Sequence, residues 1–157
     1  MRISRSGEYI GQIMHIGGRV FEKLLQQSGV TDLNGPQGKI LDALWQADGL
    51  TARALGERTG LAGSTLTSML DRMENAGLVT RERSPEDRRS VRIRLTEKAQ
   101  ALRRDYEAVS EQMTEIYFEG FAEDEISSFE DSLRRVLANV KLAEQSASRP
   151  NASDPDA

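Results

Sequence analysis

The chain has 157 residues, 38% of them hydrophobic and 29% charged, which suits one compact domain with an extension, and its zero cysteines exclude disulfides, thiolate metal sites, thiol catalysis and thiol redox sensing. No apolar run reaches the roughly 18 residues of a membrane span, and MRISRSGEYIGQIMHIGGRV lacks the core of a secretory leader, so a soluble cytoplasmic protein is expected. The net charge of −4 hides a polarised molecule: residues 1–71 carry seven basic and seven acidic side chains, residues 72–104 ten and five, and residues 105–157 four and thirteen, the pattern of a positive surface for a polyanion on an acidic body.

Ile10, Ile13, Met14, Gly17, Val20, Phe21, Leu24 and Leu25 follow helical spacing and predict an amphipathic helix over about residues 7–28. Gly17 and Gly18 interrupt it; two mid-helix glycines cost about 1 kcal/mol each relative to alanine, which predicts a kink or a closely packed neighbour. After the turn-rich GVTDLNGP, Pro36 fits the first helical position behind an Asn34 or Gly35 cap. The second helix then runs from Pro36 to Ala47 and buries Ile40, Leu41, Ala43 and Leu44.

Thr51 caps a short third helix over residues 52–59, with Ala54 and Leu55 inward and Gly60 at its end. The fourth helix starts three or four residues later. Leu66, Met69, Leu70 and Met73 make its inner stripe; Ser64, Ser68, Asp71 and Asn75 lie opposite, with Thr65 and Arg72 on one flank. Two short helices joined by a tight glycine-containing turn are the signature of a helix-turn-helix.

Gly77 stops this helix and the chain begins to alternate. Val79, Arg81 and Arg83 share one face; after SPEDRRS, Val91, Ile93 and Leu95 face in while Arg92 and Arg94 face out. This is a β-hairpin, or wing. Six arginines fall between residues 81 and 94, on a ribbon too small to need them structurally, with Asp87, Arg88 and Arg89 at the tip. Arginines presented this way suit the electronegative minor groove. The plainer reading, charges that protect an exposed β edge, accounts for some of them but not for their single sign.

Thr96 caps a fifth helix in which Leu102, Tyr106, Val109, Met113 and Ile116 form a heptad seam, broken at Gly120. A sixth helix begins near Ala122, with Glu123, Asp124 and Glu125 in its first turn and a stripe of Ile126, Phe129, Leu133, Val136, Leu137 and Val140. Residues 146–157 are expected to form a disordered tail.

One histidine and no phosphate loop or metal-spaced cluster leave no converging catalytic set, so no catalytic, cofactor or metal residue is assigned. Two classes remain: a double-stranded DNA binder whose fourth helix enters the major groove, and a winged-helix module for protein contacts. A protein-binding wing would expose apolar residues where arginines 83, 88, 89 and 92 stand.

The run LTARALGERTGLAGSTLTSMLDRMENAGLVTRERSPEDRRSVRIRLTEKA resembles the DNA-binding lobe of MarR-family transcriptional regulators, most diagnostically at Asp87, Arg89 and Leu95-Thr96. The resemblance implies a mainly α fold: a winged helix-turn-helix lobe over residues 36–96, with a helical dimerisation region from residues 1–35 and 97–145. It implies that Ser64, Thr65, Thr67, Ser68 and Arg72 contact the major groove or its phosphates and that Arg89 enters the minor groove. Asp87 would hold the wing, and Arg88, Arg92 and Arg94 would only add field. It further implies a homodimer on a pseudo-palindromic operator, with recognition helices about 34 Å apart, acting as a repressor. Ile10, Ile13, Leu102, Tyr106, Val109, Met113, Ile116, Phe129, Leu133 and Val136 are the candidate dimer residues. Release by a small-molecule effector would also fit, in a crevice that His15, Met14 and Trp45 could border, although a lone histidine is more often structural. Ala62 departs from the usual serine-type cap, so the cap of the fourth helix is either missing or shifted to Ser64.

Overall fold

The computed structural model describes residues 4–31, 33–83 and 90–147. Among them the elements run α1 (Ser6–Gln27), α2 (Gly35–Gln46), β1 (Leu50–Thr51), α3 (Ala52–Thr59), α4 (Gly63–Asn75), β2 (Val79–Arg83), β3 (Val91–Leu95), α5 (Glu97–Ala101), α6 (Arg103–Phe118) and α7 (Glu123–Ala147). Two compact units result, residues 1–114 and residues 115–157.

The first unit condenses around the inner stripes of its helices. Leu25 of α1, Ile40, Leu41 and Leu44 of α2, Leu55 of α3 and Leu66, Leu70 and Met73 of α4 are all buried, together with Leu78, Val79 and Ile93 from the ribbon. Each such side chain contributes about 1.5–3 kcal/mol by leaving water. The glycine pair does not interrupt α1, which is one helix of 22 residues. Gly17 is buried, which fits the close packing predicted for one of the pair, while nothing lies within 4 Å of a Cβ placed at Gly18.

Local signals set the helix starts. The Asn34 side chain accepts from the Gln37 backbone N–H at 3.0 Å, and the Asn34 N–H donates to the Gln37 side chain at 3.1 Å, a reciprocal capping box with Pro36 just inside α2. The Thr96 hydroxyl accepts from the Ala99 N–H at 3.2 Å and donates to the Gly77 carbonyl at 2.7 Å, which ties the start of α5 to the end of α4.

The sheet is antiparallel in the order β1-β3-β2. The ribbon pairs Val79 with Leu95, Arg81 with Ile93 and Arg83 with Val91, while the unforeseen two-residue β1 pairs Leu50 with Ile93 and Thr51 with Arg92. Val91, expected to face in, is exposed, because it lies at the far end of the ladder opposite Arg83. The single fifth helix expected from Thr96 is two, α5 and α6. Leu102 separates them with dihedrals that stay helical (φ −76°, ψ −14°).

α6 drives Tyr106 into the first unit. Its ring stands 5.2 Å from Trp45 and 5.4 Å from Phe21 between centroids, and the Trp45 indole N–H donates to the Ala99 carbonyl at 3.3 Å. Burial, with the Asp42 charge adding to it, pushes the Tyr106 phenol up to about 12. Tyr106, Val109 and Met113 are 7%, 3% and 5% exposed and Leu102 is half-buried, so this part of the expected dimer seam is already covered within one chain. Trp45 is likewise core, whereas Met14 and His15 are exposed.

In the second unit, Gly120 turns the chain at φ +84° and Phe118 meets Phe121 and Phe129 edge-on, at 5.9 and 6.3 Å. The Ala122 N–H donates to the Glu125 carboxylate at 2.9 Å at the start of α7. No residue of α7 is buried: Phe129, Leu133, Val136, Leu137 and Val140 are between 40% and 61% exposed. Ser146 and Ala147 continue α7, and the rest of the expected tail lies outside the described residues.

Candidate nucleic-acid interface

α3 and α4 form the helix-turn-helix. The Thr51 hydroxyl accepts from the Ala54 N–H at 3.2 Å and opens α3, and Gly60 closes it in the left-handed region at φ +70°, where a side chain would be strained. Leu61 and Ala62 complete the turn. Ala62 occupies the cap position of α4 in an extended conformation with no side-chain hydrogen bond, so the cap is missing rather than moved to Ser64.

Burial of Leu66, Leu70 and Met73 decides which face of α4 looks out. Ser64, Thr65, Thr67, Ser68 and Arg72 are all exposed. The Thr67 hydroxyl donates back to the Gly63 carbonyl at 2.9 Å, which leaves its lone pairs rather than its proton for a partner. Arg72 makes no ion pair among the described residues.

The ribbon corrects the expectation that its arginines have no structural use. Arg81 reaches across to α4, donating from Nη2 to Asp71 Oδ1 at 2.6 Å and from Nη1 to Glu74 Oε2 at 2.5 Å. These hydrogen bonds, the one to Asp71 first, raise the Arg81 pKa above its ordinary value against the opposing effect of burial. Arg92 donates to the Gly49 carbonyl at 3.1 Å. Arg94 donates to Glu82 at 2.8 Å, pairs with Asp48 at 3.5 Å, and lies against Gly49, where a Cβ would stand 3.1 Å from its guanidinium. Asp48 also accepts from the Leu95 N–H at 2.9 Å. Three of the six arginines therefore lock the ribbon to the body, while Arg83 is exposed and Asp87, Arg88 and Arg89 lie outside the described residues.

Sequence reasoning placed Asp71 on the outward face of α4 and gave no role to Asp48 or Glu74. One signal was available: Arg81 shares a strand face with the buried Val79, and an inward-facing arginine needs a carboxylate nearby.

Residues 33–91, which contain this helix-turn-helix, β2 and the first residue of β3, match the MarR family model. An HTH-type transcriptional regulator of Bacillus subtilis, YsmB, is 32% identical over 139 residues, spanning 88% of this chain and 91% of that relative. The chain belongs to the MarR family. MarR-family proteins are DNA-binding regulators of transcription, not enzymes. The organic hydroperoxide resistance transcriptional regulator of Bacillus subtilis is 47% identical over 77 residues, but the match spans only 49% of this chain and about half, 50%, of that relative. Having zero cysteines, this MarR-family chain has no thiol with which to register an oxidant. Among solved structures, Streptococcus pneumoniae FabT in complex with DNA superposes with a TM-score of 0.72 at 25% identity, covering 87% of this chain and 96% of that one.

Proposed function

We propose that this MarR-family chain binds double-stranded DNA in a sequence-specific way as a homodimer on a pseudo-palindromic operator, and that it represses transcription by occupying that site. The exposed face of α4 carries the reading. Short hydroxyl side chains at Ser64, Thr65, Thr67 and Ser68 let a helix backbone approach base edges, and Arg72 adds a cation for a phosphate or a guanine. Arg89, steadied by Asp87, enters the minor groove, with Arg88 beside it, a role that rests on the resemblance of the DRR tip to the family's wing.

The dimer is supported by apolar surface that one chain leaves in water. Ile10 and Ile13 on α1, Ile116 at the end of α6, and Phe129, Leu133 and Val136 on α7 are all exposed. A second copy covers them and doubles the phosphate contacts. Effector release belongs to the same reading. An open groove lined by Lys39, Asp42, Gln46, Arg58, Thr59 and Tyr106 lies beside α2 and α3, where charged side chains of both signs could meet a polar effector.

Selection of bound duplexes from a random pool tests the function, repeated with candidate metabolites and with Ser68→Ala and Arg89→Ala. A recovered inverted repeat is the expected result, with Ser68→Ala changing the recovered sequence and Arg89→Ala weakening binding to every duplex and flattening its salt dependence. A pool that stays random after repeated rounds would favour a protein-contact module instead.

A further inference from the structure

The Arg81 clamp adds a polar tie between α4 and β2, two parts of the interface that already share the core through Met73, Leu78 and Val79. Asp71 and Glu74 stand one turn apart on α4, close enough for like charges to oppose each other, on a helix that faces a polyanion under the proposed function. The Arg81 fork takes one carboxylate on each terminal nitrogen, a division that a planar guanidinium holds in a fixed geometry and an ammonium, as a point charge, holds less rigidly. Its side chain is 29% exposed, less than that of Asp71 at 57% or Glu74 at 39%, so the carboxylates are the more solvent-accessible members of the clamp. The strand beneath it is fixed as well, because Arg81 pairs in register with the buried Ile93.

We infer that Arg81 is a positioning residue for DNA binding: acting through Asp71 and Glu74, it holds the wing strand and the recognition helix at one spacing. The inference rests on the DNA-binding reading. It gives Arg81 no contact with DNA.

The test measures affinity of the full chain for the duplex that the wild type recovers from a random pool, and for a scrambled duplex. The proteins are wild type, Arg81→Gln, Arg81→Lys, Asp71→Asn/Glu74→Gln, and the triple variant Arg81→Gln/Asp71→Asn/Glu74→Gln. Charge alone predicts that Asp71→Asn/Glu74→Gln binds more tightly, since two negative charges are removed; positioning predicts that it binds the recovered duplex about tenfold more weakly, as does Arg81→Gln. The triple variant should lose no more than Arg81→Gln, and Arg81→Lys should recover part of the loss. Tighter or unchanged binding by Asp71→Asn/Glu74→Gln would overturn the inference and assign Arg81 to a phosphate. Lower melting temperatures with an unchanged preference for the recovered duplex would overturn it in favour of a purely structural ion pair. A wild type that recovers no sequence would overturn the DNA-binding reading itself, and the clamp's role with it.

Discussion

Gly38 and Tyr106 meet so closely that a Cβ at residue 38 would stand 2.5 Å from the tyrosine ring and 2.8 Å from its hydroxyl. The absence of a side chain on α2 is what admits the ring. Trp45 and Phe21 hold the ring from other sides, so it has little room to retreat.

Gly38→Ala should therefore destabilise the protein, although alanine favours a helix interior over glycine by about 1 kcal/mol. Overpacking of this kind costs about 1–3 kcal/mol, and the ring's confinement decides which effect wins. Thermal or denaturant unfolding checks it. A variant more stable than wild type would mean that Tyr106 yields easily.

The Tyr106 phenol gives alkaline stability a defined sign. Its pKa rises from 10 in the unfolded chain to about 12 in the folded one, so folding favours the protonated phenol. That contribution is fully present below pH 10 and is lost as the pH rises from 10 to about 12. Unfolding free energies across this range should fall more steeply for the wild type than for Tyr106→Phe. Parallel profiles would show that the phenol titrates as it does in water.

Ala62 holds an extended cap conformation (φ −63°, ψ 146°) and offers α4 no hydrogen bond. Ala62→Ser should restore one to a first-turn N–H and raise stability by about 1 kcal/mol. The observable is the midpoint of denaturant unfolding at an unchanged slope. No rise would mean that water already satisfies those donors.

Association is tested at Leu133 rather than in the middle of the heptad seam. Met113 is 5% exposed within one chain, so a charge there would disturb folding before it reported on pairing. Leu133 is 40% exposed and sits on a helix with no buried residue. Leu133→Glu should sediment as a single folded chain while the wild type sediments as a dimer. A dimer of wild-type strength in this variant would remove α7 from the interface.

The sequence by itself determined the local architecture, because that architecture is written in short-range chemistry. Asn34, Thr51 and Thr96 cap helices through hydrogen bonds that reach three residues, and Gly60 and Gly77 end helices at positive φ that needs no tertiary partner. The inner stripe of α4 followed from helical periodicity, and with it the outward face of Ser64, Thr65, Ser68 and Arg72. Only the tertiary structure decided which partners the remaining residues found. The spacing of Leu102, Tyr106, Val109 and Met113 specifies a seam but not whose surface fills it, and the space over Gly38 brought the middle of that seam inside one chain. The two-residue β1 carries too little sequence for alternation to be seen, and its pairing with β3 spans a separation of more than forty residues. Arg81, Arg92 and Arg94 are alike in sequence as wing arginines. Their carboxylate and carbonyl partners came from α4 and from residues 48 and 49, and folding alone brings those groups within hydrogen-bonding distance.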